Sequence, residues 1–280
     1  MEEAIWRSRP APRRDGLLFT ILNRTRGHGS RVVRPPFAVT ALSPDGSVLA
    51  AVGAQGFLDV FFLLQIRHVM VGHVSGGTPT SVCVGRGGGS VRGGRNVEVF
   101  VGCADESARA GGDGRIGVLV ATLRGHRRAV TNVHLSSDGA TLLTASQDCA
   151  VLWDTSKWER RRALRSRARV VGCALSETAG DGSDVVCVAF GDDSIGVWSA
   201  NSCATVAKLT VPTGERSGRG GLLTCVACDG KRGLVAAGCR TGSVLLWDLV
   251  SEKALRVLDL PPSSAAIIGV ACLPPSDSLF

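Results

Sequence analysis

Tyrosine is absent from the 280 residues, and aromatic side chains make up only 5% of them. Long apolar runs are missing too, with no window approaching 18 uninterrupted apolar residues, which excludes a helical membrane span. The start, Met1-Glu2-Glu3-Ala4-Ile5-Trp6-Arg7, has no apolar core ahead of Arg13 and Arg14, so no secretory signal is expected. Lysine is scarce, confined to Lys157, Lys208, Lys231 and Lys253, and the net charge of +8 therefore rests on arginine. Arginine and glycine excess with few lysines and no tyrosine is what a GC-rich coding sequence produces, so the charge does not by itself demand a polyanion.

A hydrophobic content of 44% with 20% charged residues is that of a globular chain. The ten cysteines sit singly in apolar runs, as at Cys83, Cys103, Cys173, Cys187 and Cys239, which reads as buried free thiols in a reducing, cytoplasmic setting. Cys225 and Cys228 are three apart, and on a strand they face opposite sides of the sheet. No second pair or suitably spaced histidine completes a zinc site, so neither a metal nor a cofactor is expected.

A repeat organises the chain. Alternating runs lead into Asp-Gly turns at Asp45-Gly46, Asp138-Gly139 and Asp229-Gly230. A small-residue run follows each, as in Leu142-Leu143-Thr144-Ala145-Ser146, then a second turn and a third run ending in Leu152-Trp153-Asp154, Val197-Trp198 or Leu246-Trp247-Asp248. The spacing is about 46 residues, in the range of four-stranded propeller blades. Gly125-His126 precedes Trp153-Asp154 in phase with it, and at this point the chain resembles the WD-repeat β-propeller family. The fold expected is all-β, an open propeller of four-stranded WD-repeat blades, five blades plus part of a sixth.

The blades are expected near 37–73, 78–124, 125–167, 168–210 and 219–260, with a partial one opening on a strand near 266–273. Residues 1–14 read as a basic extended arm and 15–280 as the propeller. In the second blade Gly85 to Arg95 reads as a mobile Gly/Arg-rich insert, and Asp105 to Arg115 replaces a clear third strand. Gly72-His73 looks like a further blade-start pair.

By resemblance to WD repeats, His126, Asp148 and Trp153, with Thr144 or Ser146 as the hydroxyl, form a buried polar network. Asp192, Trp198 and Trp247 take the corresponding places in later blades. Asp148 lies five residues before Trp153 but Asp192 six before Trp198, so one of these turns is unusually short. The His-Asp-Ser trio also suggests a hydrolase triad on paper. No strained nucleophile turn accompanies it, so the structural reading is preferred and no catalytic residue is assigned.

Partners are expected to be other proteins, bound through rim loops, with Arg127, Arg128, Gln55, Gln147 and Arg240 as candidate contacts. Arginines also run along Arg160, Arg161, Arg162, Arg165, Arg167 and Arg169, where edge protection is preferred to a partner patch. Base-stacking aromatics are missing beside them, which argues against specific nucleic-acid recognition. A ubiquitin-ligase substrate receptor is an alternative, yet the arginine such propellers carry two residues after Trp-Asp is here Ser156 or Val250. A basic propeller binding anionic membrane or nucleic acid is another.

Further stretches are similar to a family of large TBC-domain proteins with an N-terminal WD-repeat region. They are Ile5-Trp6 with Pro10, Pro12, Asp15 and Gly16, then Arg124-Gly125-His126, Trp153-Asp154, and Trp158 to Arg162 with Leu164. Asp192, Ser194, Ile195 and Trp198, and Pro261 with Leu273 and Pro274, continue the likeness. The resemblance implies a non-enzymatic scaffold of centriolar satellites and the ciliary base, whose parent chain adds further blades, a Rab-GAP-like TBC domain, a coiled coil and a kinase-anchoring segment. The TBC motif contains a tyrosine, so it has no counterpart here. Phe280 falls just after a turn at Pro275-Ser276-Asp277, and an incomplete piece of a longer protein is expected.

Overall fold

The computed structural model describes residues 6–8, 19–21, 37–43, 46–53, 55–63, 67–73, 78–86, 97–111, 119–178, 184–211, 222–259 and 265–272. These contain five four-stranded antiparallel sheets and one two-stranded sheet. The small sheet pairs β1 (Trp6–Ser8) with β2 (Phe19–Ile21). Part of the stretch read as an extended arm is therefore a paired strand, which gives its backbone groups ladder partners.

The first blade runs β3 (Phe37–Leu42), β4 (Val48–Gly53), β5 (Phe57–Phe62) and β6 (Arg67–His73). The second runs β7 (Pro79–Arg86), β8 (Val97–Cys103), β9 (Ser107–Gly111) and β10 (Leu119–Arg124). The third has β11 (Val130–Leu135), β12 (Thr141–Ser146), β13 (Ala150–Asp154) and β14 (Glu159–Leu164). The fourth has β15 (Val170–Glu177), β16 (Asp184–Phe190), β17 (Ser194–Ser199) and β18 (Thr205–Thr210), and the fifth β19 (Leu223–Asp229), β20 (Leu234–Cys239), β21 (Ser243–Asp248) and β22 (Lys253–Asp259). Each is a meander in sequence order, the chemistry of WD-repeat propeller blades.

Burial follows the composition of each strand. The second strands β12 and β16 are buried along their whole length because blades cover both of their faces, and apart from the leading Asp184 of β16 both read as runs of apolar and small residues. The outer strand β14 begins with four exposed residues, Glu159 to Arg162. The core lies between consecutive sheets, as where Val52 and Val60 meet Val99 and Val101, and where Cys187 and Val197 meet Val226 and Ala237. Each fully buried aliphatic side chain contributes about 1.5–3 kcal/mol.

Turns repeat as well. In the third blade the Ser136 hydroxyl donates to Asp138, the Thr141 N–H donates to Ser136 Oγ, and Gly139 takes φ 74°. The first blade repeats this with Ser43 and Gly46 (φ 67°). The fifth differs: Asp229 is still in the strand and Gly233 carries the positive φ of 65°. Gly230 is needed there for close approach, since a Cβ would stand 2.5 Å from the Glu177 carbonyl oxygen.

Three further expectations are corrected. The stretch from Asp105 to Arg115 holds a third strand, β9, recognised by its ladder with β8 although it lacks an aromatic marker. β7 takes in Gly85 and Arg86, and the rest of the expected insert, 87–95, lies outside the described residues. No strand forms in 265–272, because the segment has no ladder partner among the described residues. It nevertheless holds an inner-strand position. The Thr224 hydroxyl donates to the Ile267 carbonyl at 2.5 Å, as Thr80 in β7 donates to Val130 at the head of β11. Gly238 faces Ile267 as Gly102 faces Val130. The blades do not close into a ring: Ala38, Thr40 and Leu42 of β3 are exposed.

Candidate functional site

The third blade carries a continuous buried polar chain. Trp153 Nε1 donates to Thr144 Oγ1 at 2.8 Å, and Thr144 Oγ1 lies 2.7 Å from His126 Nε2. His126 Nδ1 is 3.0 Å from Ser146 Oγ, which donates in turn to Asp148 Oδ1. The two end bonds have fixed directions, since an indole N–H only donates and a carboxylate only accepts. Ser146 spends its proton on Asp148, so His126 donates from Nδ1, and with a neutral ring Thr144 donates to Nε2.

Burial favours that neutral form. Burial pushes the His126 pKa below its ordinary 6.5, helped by the Arg165 charge and opposed by Asp148. Asp148 is held below the usual carboxylate range, where hydrogen bonds from Ser146 and Cys149 overcome its own desolvation. In a hydrolase triad the serine gives its proton to the imidazole. Here the imidazole donates to the serine, which is fully buried, so the trio is wired as a structural clamp.

His126, Asp148 and Cys149 place potential metal-ligating atoms within 4.8 Å of one another. Those atoms are already engaged: Cys149 Sγ donates to Asp148 Oδ2 at 3.3 Å, and burial followed by Asp148 pushes the thiol up to about 11.

The later blades lack this chain. Ladder registers put Val188 and Phe190 where the third blade has Thr144 and Ser146, and Ala237 and Cys239 in the fifth. Without hydroxyls, Trp198 packs edge-on against Phe190 at 6.4 Å, and Trp247 reaches only the Thr210 carbonyl, at 3.4 Å. Asp192 binds its own turn through the Ser194 hydroxyl, 2.6 Å. The short turn belongs to the third blade, where Ala145 pairs with Ala150 while Ala189 pairs with Ile195 and Gly238 with Val244.

Sequence reasoning missed two residues. In the second blade Asp105 stands two past the end of its strand, as Asp148 does, and pairs with Arg109 at 2.6 Å; Arg109 also reaches Cys103 Sγ. In the fourth, buried Asp193 accepts the backbone N–H groups of Leu222 (2.5 Å) and Leu223 (3.2 Å), tying one blade to the next. The shared offset after the second strand was the signal for Asp105.

The expected contact residues all lie at one end of the sheets, where second-to-third-strand turns and blade-to-blade connections meet. Gln55, Gln147, Arg240, Arg127 and Arg128 are exposed. Arg127, Arg128 and Gln147 gather around the third blade, whereas Gln55 is in the first and Arg240 in the fifth. The Arg127 N–H bonds Asp148, and the Val170 N–H donates to the Gln147 carbonyl at 3.1 Å. Two outer-strand arginines serve the fold: Arg161 grips Asp154 at 2.8 Å, and Arg162 donates to the Cys203 carbonyl of the fourth blade at 2.7 Å. Among the described residues, no helix is long and apolar enough to cross a membrane.

A profile of the WD domain, G-beta repeat, matches residues 117–154, the stretch ending in Trp153-Asp154. TBC1 domain family member 31 from Homo sapiens is 28% identical over 97% of this chain, and 24% of that protein is covered. Proteins of the same name from Oryzias latipes (28% identical, 98% of this chain, 24% of theirs) and Xenopus laevis (26%, 96% and 23%) are similar. The chain thus spans about a quarter of the length of the curated relatives it matches.

Proposed function

With a WD repeat and homology to TBC1 domain family member 31 along nearly the whole chain as the premise, we propose that the protein is a non-enzymatic interaction scaffold that holds other proteins on its connection-bearing rim. The observation that carries this is the buried chain from Trp153 to Asp148. It uses the His126-Asp148-Ser146 trio for packing and fixes the loops that present Arg127, Arg128 and Gln147. Extending the relatives' likeness to the longer protein, the scaffold works beside a TBC domain, at centriolar satellites and the ciliary base.

Two experiments test this. Affinity purification with wild-type chain and with Arg127→Glu/Arg128→Glu should show selective loss of bound proteins from the variant. Unchanged recovery removes the rim assignment. Imaging of the tagged protein against a satellite marker should show coincident puncta, and a diffuse signal removes the location.

A further inference from the structure

Two blade-to-blade connections, β10–β11 and β14–β15, flank the β12–β13 turn and are fastened to it. The first is held by the Arg127 N–H on Asp148. The second is held by the Val170 N–H on the Gln147 carbonyl and by the Arg165 guanidinium, which donates to the Cys149 thiol. Between them these loops expose Arg127, Arg128, Arg165 and Arg167. Arg169 lies flatter, its Cγ 3.2 Å from where a Gly191 side chain would begin.

Of the described acidic residues beside these loops, Asp148, Asp192 and Asp193 are spent on hydrogen bonds, while Glu106 on the β8–β9 turn of the second blade is exposed. Asp148 serves Ser146 and Cys149, Asp192 serves Ser194, and Asp193 is buried on the Leu222 and Leu223 amides. No ion pair neutralises Arg127, Arg128, Arg165 or Arg167 among the described residues. Elsewhere some basic groups are paired, as Lys231 is with Glu177 at 2.9 Å and Arg161 with Asp154, while others such as Lys157 and Arg160 stand without an ion pair among the described residues. The result is three guanidinium groups, those of Arg127, Arg128 and Arg167, without an ion pair among the described residues, with the Cys149-bound Arg165 beside them, on loops braced by a buried network, so little ordering of the loops remains to oppose binding.

We propose that this shelf between the third and fourth blades docks an acidic protein segment rich in Asp or Glu, each carboxylate taken by a guanidinium fork. The assignment rests on the interaction-scaffold reading and names its partner chemistry. A single-stranded nucleic acid would be held by exposed rings on which its bases stack, and neither connection carries one. A membrane would need apolar side chains to insert, and the exposed large ones, Leu42, Phe57, Val206, Val250, Leu255, Leu258 and Ile268, are all on other segments.

The test is fluorescence anisotropy of the full chain with a labelled oligoglutamate peptide, in parallel with a single-stranded oligonucleotide and phosphatidylserine vesicles. Arg127→Glu/Arg128→Glu and, separately, Arg167→Glu should weaken peptide binding at least about tenfold for the double variant, with the wild-type affinity falling as salt rises. Arg165→Gln, which spares the fold from a carboxylate beside Asp148, should weaken it less. The charge-matched control Lys157→Glu/Arg160→Glu, at the opposite end of β14, should bind as wild type does. Equal weakening in that control, no peptide binding, or tighter binding of oligonucleotide or vesicles overturns the proposal. If the rim variants still lose proteins in the purification while the peptide binds every folded variant alike, the scaffold reading stands and the acidic assignment falls.

Discussion

The third and fourth blades share topology and a tryptophan at the same place on the third strand, yet they satisfy that tryptophan differently. Trp153 ends a hydrogen-bonded chain that runs through a histidine to a carboxylate, whereas Trp198 lies in an apolar slot beside Phe190. The second blade gives a further solution, with Gly111 at the tryptophan position and the Arg109–Asp105 pair buried nearby. A blade is thus specified by apolar strands and turns. The polar chain is an addition that stiffens the rim at one place, and that place is where the unpaired arginines gather.

The largest effect should come from Thr144→Val, which gives the third blade the fourth blade's residue without its slot. It orphans the Trp153 N–H and His126 Nε2, and should lower unfolding free energy by about 2–4 kcal/mol in urea titrations. A loss no larger than that of an ordinary surface substitution would dissolve the contrast. Next, Trp153→Phe should cost about 1 kcal/mol more than Trp198→Phe, because only the first removes a hydrogen bond.

Acid should weaken the third blade selectively. Burial holds both His126 and His134 below their ordinary 6.5. Between the folded and unfolded values the unfolded chain binds more protons, so stability is full above about 6.5 and is lost as pH falls through that window. His126→Gln should flatten the slope of melting temperature against pH, and an unchanged slope would assign the whole effect to His134. Asp148 acts only at lower pH, below 3.8. Smallest of all, Arg162→Ala breaks an exposed bridge to Cys203 and should stay within about 1 kcal/mol of wild type by denaturation.

Much of this contrast was legible in the sequence. The blades announce themselves through runs, turns and the Trp-Asp ends, because period and turn chemistry are local properties. His126, Thr144, Ser146, Asp148 and Trp153 were readable through their resemblance to the polar network of WD repeats. Trp198 and Trp247 misled because an aromatic marks the position and says nothing of its partner; Val188 and Ala237, where Thr144 should recur, were visible but needed the ladder register to be aligned. The roles of Arg161, Arg162 and Asp193 depend on contacts across a turn or between blades, which no local pattern encodes. The segment near 266–273 is an apolar run like a strand's, yet strand formation also requires a neighbour to pair with.

The direction of the His126 chain is the claim on which the structural reading of the trio turns. A long-range proton–nitrogen correlation spectrum of the imidazoles reads it directly. The account predicts a neutral His126 ring with its proton on Nδ1, persisting below pH 6.5. A proton on Nε2, or an imidazolium titrating at the ordinary value, would contradict it.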